Sequence, residues 1–435
     1  MNRGEKWKEG KLKHLAVIRN GQDYKEVVSE SGIYPVYGSG GVFAKATDFL
    51  YDGKSVLFGR KGTIDKPRLA AGRFWTVDTM FYSEIDRHAC PEFVYYVATT
   101  IPYSLYSTST ALPSMTQDDL KNHAVLIPSF TEQRQIATYL NRETAKIDKL
   151  ISRQQKLIKL LQEKRQAVIS QAVTKGLDPN VKMKDSGVEW LGEVPFSWTV
   201  TALKFVCDVR DGTHETPAYV EPSVNSRPLV TSKDISGGVL NLGTTKHISF
   251  EDFSLISRRS QVGCGDVLMP MIGTVGGAFI VENGCDFAIK NIALFKKSTM
   301  VASKWLADYL DSNATRYQFD LNRSGGVQSF VSLGTLRNLI VCVPPLDQQI
   351  EMVNKLSEVT SKIDRLIDKG ATSIELLKEH RQALITAAVT GKIDVRGLVT
   401  DEEVAALDQE PDETAFSDEE ITDLENESAD DELTA

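Results

Sequence analysis

Two stretches of the chain carry apolar residues at a strict seven-residue spacing. In the first, Leu140, Ile147, Gln154, Leu161 and Val168 share one heptad position. Thr144, Ile151, Ile158, Arg165 and Ala172 lie four residues further on. The second stretch holds Leu356, Ile363, Gly370, Leu377 and Leu384, with Thr360, Ile367, Ile374, Arg381 and Ala388 beside them. Such a seam has to be buried against another helix. Pro128 and Pro344-Pro345 stand just upstream, where the chain is still extended. No Gly or Pro interrupts Thr131 to Thr174, and Gly176 supplies a stop. The pattern predicts two helices of about 45 residues, each roughly 67 Å long. Their breaks fall at equivalent places, Gln154 and Gly370, so the two seams are expected to pack on each other.

The two stretches are copies. Residues 128–178 share 21 of 51 positions with the residues 216 further on, without a gap. Ala145-Lys146-Ile147-Asp148-Lys149-Leu150-Ile151 returns as Ser361-Lys362-Ile363-Asp364-Arg365-Leu366-Ile367. The segments ahead of the helices are related more weakly. Trp7, Leu12 and Lys13 match Trp198, Leu203 and Lys204 at an offset of 191. Ser55-Val56-Leu57 with Gly62-Thr63 matches Asp266-Val267-Leu268 with Gly273-Thr274. Between these fixed points the residues differ almost everywhere, as two binding surfaces on one scaffold would. Both segments are rich in Val, Ile, Tyr, Phe and Thr with glycine punctuation, which predicts strands. Short helices are expected at Phe93-Val94-Tyr95-Tyr96-Val97 and at Trp305-Leu306-Ala307-Asp308-Tyr309-Leu310.

Charge changes the picture once it is divided along the chain. The net charge is −9, yet sixteen carboxylates lie between Asp401 and Glu432, with no Lys or Arg after Arg396. Without them the body carries a small positive surplus. A tail so charged is expected to be disordered. The five cysteines are scattered, which argues against a disulfide framework or a structural zinc. No apolar run reaches the roughly 20 residues of a membrane-spanning helix, and the N-terminus lacks a signal-peptide core. A cytoplasmic protein is expected.

The repeated helices also carry Arg165-Gln166-Ala167 and Arg381-Gln382-Ala383, then Ala172-Val173-Thr174 and Ala388-Val389-Thr390. Between them runs Asp185-Ser186-Gly187-Val188-Glu189-Trp190-Leu191-Gly192-Glu193-Val194-Pro195, leading to Trp198. With these motifs, about residues 5–395 resemble the specificity subunit of type I restriction–modification systems. The resemblance implies an α+β chain with two mixed α/β target recognition domains. Two long helices separate them, packed as an antiparallel coiled coil with pseudo-two-fold symmetry. The divisions expected are a first recognition domain at 1–127, a helix at 128–178 and a linker at 179–195. A second recognition domain follows at 196–343, a second helix at 344–395 and the acidic tail at 396–435. Each recognition domain would read half of an interrupted site in double-stranded DNA. Modification subunits, two of them, and restriction subunits would supply the chemistry. S-adenosylmethionine, ATP and Mg would belong to those partners, with no cofactor or metal in this chain. The acidic tail departs from the family pattern.

The residues agree that this chain is not an enzyme. An amino-methyltransferase needs Asn- or Asp-Pro-Pro-aromatic, and the only Pro-Pro pair is Val343-Pro344-Pro345-Leu346. Gly38-Ser39-Gly40-Gly41 lacks the third glycine of a dinucleotide loop, at Phe43. Base reading calls instead for loops with donors, acceptors and small residues. In the first domain the candidates are Tyr37, Gly38, Ser39, Gly40 and Gly41; Arg60, Lys61, Gly62 and Thr63; and Ser107, Thr108, Ser109, Thr110 and Ser114. In the second they are Gly212, Thr213 and His214, after Asp211; Thr231, Ser232, Lys233 and Asp234; Gly273 and Thr274; Asn291; and Arg323, Ser324, Gln328 and Ser329. The competing reading is a coiled-coil adaptor whose two divergent domains bind proteins.

Overall fold

The computed structural model describes residues 7–106, 113–236, 239–272, 276–282, 286–321 and 330–408. Helices form where the heptads place them, at Phe130–Lys175 and Leu346–Val389. Each runs through both of the compact units into which the chain divides. One unit is Met1–Arg153 with Ser373–Ala435, the other Gln154–Thr372.

Within each unit, the start of one long helix lies antiparallel to the end of the other. In the first unit Arg381 pairs with Asp148 at 2.9 Å, and Ile136, Ala137 and Leu140 share a core with Ile385, Ala388 and Val389. In the second, Arg165 pairs with Asp364 at 2.7 Å, and Ile169, Ala172 and Val173 share a core with Met352 and Leu356. The two ion pairs are the same pair 216 residues apart. Of the seam, Leu140, Ile147, Leu356, Ile363 and Ile374 are buried. Ile151, Ile158, Leu161, Val168, Ile367, Leu377 and Leu384 are half-buried, as expected in a two-stranded contact. A Cβ on Gly370 would stand 3.1 Å from Ile158 and 3.8 Å from Gln154, so the missing side chain makes room for the polar one.

The folds ahead of the helices repeat strand by strand. The first has a four-stranded sheet in the order Ala16–Asn20, Met80–Ile85, Ser55–Gly59, Arg68–Ala70. The second has Val209–Asp211, Ile292–Phe295, Val267–Pro270, Phe279–Ile280 in that order. Beside it Tyr34–Gly38 pairs in parallel with Arg73–Thr76, as Ser226–Val230 does with Ala288–Ile289. Lys8–Lys11 pairs with Ala124–Ile127, and Thr199–Ala202 with Ile340–Val343, both antiparallel. The two expected helices appear as Pro91–Ala98 and Ser303–Leu310, burying Phe93 and Trp305.

Buried amides tie each fold to its helices. Gln133 is 1% exposed; it accepts from the Cys90 amide and donates to the Pro128 carbonyl. Gln349, 216 residues on, does the same with Ala302 and Pro344. The glutamines of the two Arg-Gln-Ala motifs donate to the residues that end the short helices: Gln382 to Thr99 and Gln166 to Asp311. Trp198 packs on Gly176, where the first long helix stops, and Trp7 packs on Gly391, where the second stops.

The acidic tail departs from expectation over its first residues. Thr400 caps a short helix, Asp401–Ala405. The Val404 carbonyl accepts from Arg134, and Glu403 pairs with Arg142 at 3.1 Å. Leu407 packs on the first unit's core, and its carbonyl accepts from Lys54. The first long helix is the basic one, and its arginines give this end of the tail partners that composition alone does not reveal. Residues 409–435 lie outside the described residues.

Candidate nucleic-acid interface

In the first unit three loops meet at one edge. Gly38-Ser39-Gly40-Gly41 closes the hairpin between Tyr34–Gly38 and Gly41–Ala46, with Gly38 paired to Gly41. A Cβ on Gly62 would lie 3.4 Å from Ser39 Oγ, so the Arg60–Thr63 turn touches the hairpin. The same turn takes the Pro113 carbonyl on the Gly62 amide, and Lys61 bridges to Ser114. Arg60 and Lys61 are both exposed, and Arg60 donates to the Asp78 carbonyl at 3.3 Å. Tyr37 is placed differently. It is 8% exposed with its ring edge-on to Phe74, so it serves the core and not a groove.

The second unit puts its loops at the matching strand ends. Thr231-Ser232-Lys233-Asp234 follows Ser226–Val230 as the glycine hairpin follows Tyr34–Gly38. Its outer residues are committed locally, since Asp234 accepts from both the amide and the hydroxyl of Thr231. Lys233 is left exposed. Asp211-Gly212-Thr213-His214 lies against Asn291: the Thr213 amide donates to Ile289, and the Asn291 amide to Thr213. Gly212 is structural, for a Cβ there would stand 2.2 Å from the Ile289 carbonyl oxygen. Ser107, Thr108, Ser109, Thr110, Gly273, Thr274, Arg323, Ser324, Gln328 and Ser329 lie outside the described residues.

Several residues escaped the sequence reading. Gly21 matches Gly212 at the offset of 191 and is packed as closely, with its Cβ position 2.0 Å from the Val77 oxygen. It marks Asn20–Gln22 as the first fold's counterpart of Asp211–Thr213, and Asn20 does line a shallow cleft with Arg60, Lys61 and Ser114. The shared offset was the available signal. Arg68 donates to the Gly40 carbonyl at 2.8 Å, its guanidinium lying flat against Gly41. Only the folded strand order brings it to the hairpin, so no local motif points to it.

Residues 4–160 match the family model described as the type I restriction modification DNA specificity domain. The chain is similar to the specificity subunit of the type I restriction enzyme MjaVIII from Methanocaldococcus jannaschii, 24% identical over 296 residues. That match covers 66% of this chain and 66% of its relative. It is also similar to the EcoBI specificity subunit of Escherichia coli, 21% identical over 66% of this chain and 62% of that one. The matched region thus spans about two thirds of the length of these relatives. A solved structure, described as the structural basis underlying complex assembly and conformational transition of the type I R-M system, aligns with 90% of this chain and 99% of its own. Its TM-score is 0.66 at 17% identity, a likeness of fold. Over residues 4–160 the chain thus matches the type I restriction modification DNA specificity domain, and over about two thirds of its length it is similar to type I specificity subunits.

Proposed function

We propose that the chain is the sequence-reading subunit of a type I restriction–modification complex. It reads a bipartite, interrupted target in double-stranded DNA, one recognition fold for each half-site. Two modification subunits and the restriction subunits dock on it in the cytoplasm. Methyl transfer and cleavage, with S-adenosylmethionine, ATP and Mg, belong to those partners, and this chain contributes no catalytic group.

The observation that supports this reading is one scaffold present twice with different loops at the same strand ends. Identical buried amides, Gln133 and Gln349, hold the two scaffolds in the same way, while Gly38-Ser39-Gly40-Gly41 in one becomes Thr231-Ser232-Lys233-Asp234 in the other. Two reading surfaces of different sequence suit two different half-sites. Exposed Lys61 and Lys233 fit phosphate contacts, which set register, whereas the small and polar loop residues fit base edges.

Selection from a random duplex pool by the purified complex with modification subunits tests this. The expected product is two fixed base blocks separated by a constant unspecified interval. Recovery of DNA with no base preference and no salt dependence would favour the adaptor reading instead.

A further inference from the structure

The second recognition fold carries a side-chain network along its Asp211–His214 loop. Asp211 is 5% exposed, and its carboxylate accepts from Arg259 Nη2 and, at 3.0 Å, from His214 Nε2. The other ring nitrogen, Nδ1, stands 2.9 Å from Asn291 Oδ1. Asn291 is the one residue other than glycine with positive φ among the described residues, at 54°. Asparagine tolerates this region better than most residues, but a side chain kept there points to a task for it. At the matching positions the first fold has Asn20, Asp23 and Thr79.

Backbone bonds already brace this loop. Thr213 N donates to Ile289 O at 3.0 Å and its carbonyl accepts from Asn291 N at 3.1 Å. The side-chain network is therefore additional to what holds the loop in place. Its effect is to fix one amide. A carboxylate only accepts, so Nε2 donates to Asp211 and the ring orientation is set. The ring then holds one end of the Asn291 carboxamide through Nδ1. The other end is left to the loop edge, where the residue is half-buried.

We propose that Asn291 reads a base of the second half-site and that His214, anchored by Asp211 and Arg259, is the residue that positions it. The inference rests on the reading of the chain as a DNA-recognition subunit. A carboxamide held at one end presents the other. Its partner is then a polar atom on a base edge in the major groove. Lys290, the preceding residue, is tied to Thr216 and places positive charge at the same edge.

The test compares full-length wild type, Asn291→Gly and His214→Ala, each assembled with modification subunits, in selection from the random duplex pool. Glycine keeps the backbone at positive φ and removes only the amide. The expected result for N291G is a loss of about tenfold in preference at one base pair of one block. H214A is expected to weaken the same position, with the other block unchanged in both variants. Thermal melting of each complex separates this from a folding defect. If the wild type selects a bipartite site that N291G leaves intact at every position, this inference falls alone. A wild type without base preference would overturn the functional reading together with it.

Discussion

Buried amides decide more at the residue scale than the charged surface does. Gln133 and Gln349 each satisfy an N–H and a carbonyl in a dry site. Removing either amide orphans two backbone groups at about 1–3 kcal/mol each. Gln133→Ala and Gln349→Ala are each expected to lower stability by ~2–4 kcal/mol in urea unfolding, and by similar amounts, because their surroundings match. A loss at only one of the two would break the equivalence. The ion pairs Arg381–Asp148 and Arg165–Asp364 are partly exposed, so Asp148→Asn should cost only about 0.5 kcal/mol, less at high salt. Cysteine reactivity gives an independent check. Burial pushes the thiols of Cys90, Cys207 and Cys342 up to about 12, which keeps them protonated and inert at pH 8. Cys264 is exposed. Alkylation followed by mass spectrometry should label Cys264 in the folded protein, and Cys90, Cys207 and Cys342 only after unfolding. Early labelling of Cys90 would contradict the packing of its helix start.

Among elements, the long helices were the most readable in the sequence. A sustained heptad repeat leaves few alternatives, and the observed Phe130–Lys175 lies within a residue of the stretch the pattern defines. The sheets were readable only as a class, because strand order depends on contacts far apart in sequence. Arg68 shows the limit: its place beside Gly40 follows from the order Ser55–Gly59 next to Arg68–Ala70 and from nothing in the neighbouring residues. The tail shows a different limit. Composition predicted a free chain, while Glu403, Val404 and Leu407 find partners on Arg142, Arg134 and Lys54. A chain ending at Leu398 should therefore lose roughly 1–2 kcal/mol, seen as a lower melting temperature. An unchanged melting curve would mean that this helix is not bound in solution.

At the scale of the whole molecule, duplication is the organising fact. It was readable because the helices kept 21 of 51 positions, and it carried the weaker matches between the recognition folds with it. The candidate loops were readable one by one, but which of them come together was not. The hairpin at Gly38–Gly41 and the turn at Arg60–Thr63 do meet, and His214 does meet Asn291. Asn20 was missed, since its loop shares only Gly21 with its counterpart. Charge at this scale carries a consequence for binding. Residues 1–130 hold 16 basic and 14 acidic groups, and residues 177–346 hold 16 and 17. Neither fold is a basic clamp, so the chain alone should bind DNA with a shallow salt slope that steepens when modification subunits join. Equal slopes with and without them would show that this chain supplies the phosphate contacts itself.

The central claim is that two different surfaces on one repeated scaffold read two different DNA half-sites. Methylome sequencing of cells that carry this chain with its modification subunits, against cells lacking the chain, tests it most directly. The account predicts one new methylated motif made of two dissimilar base blocks at a fixed separation. A continuous motif, two identical blocks, or a methylome unchanged by the chain would contradict it.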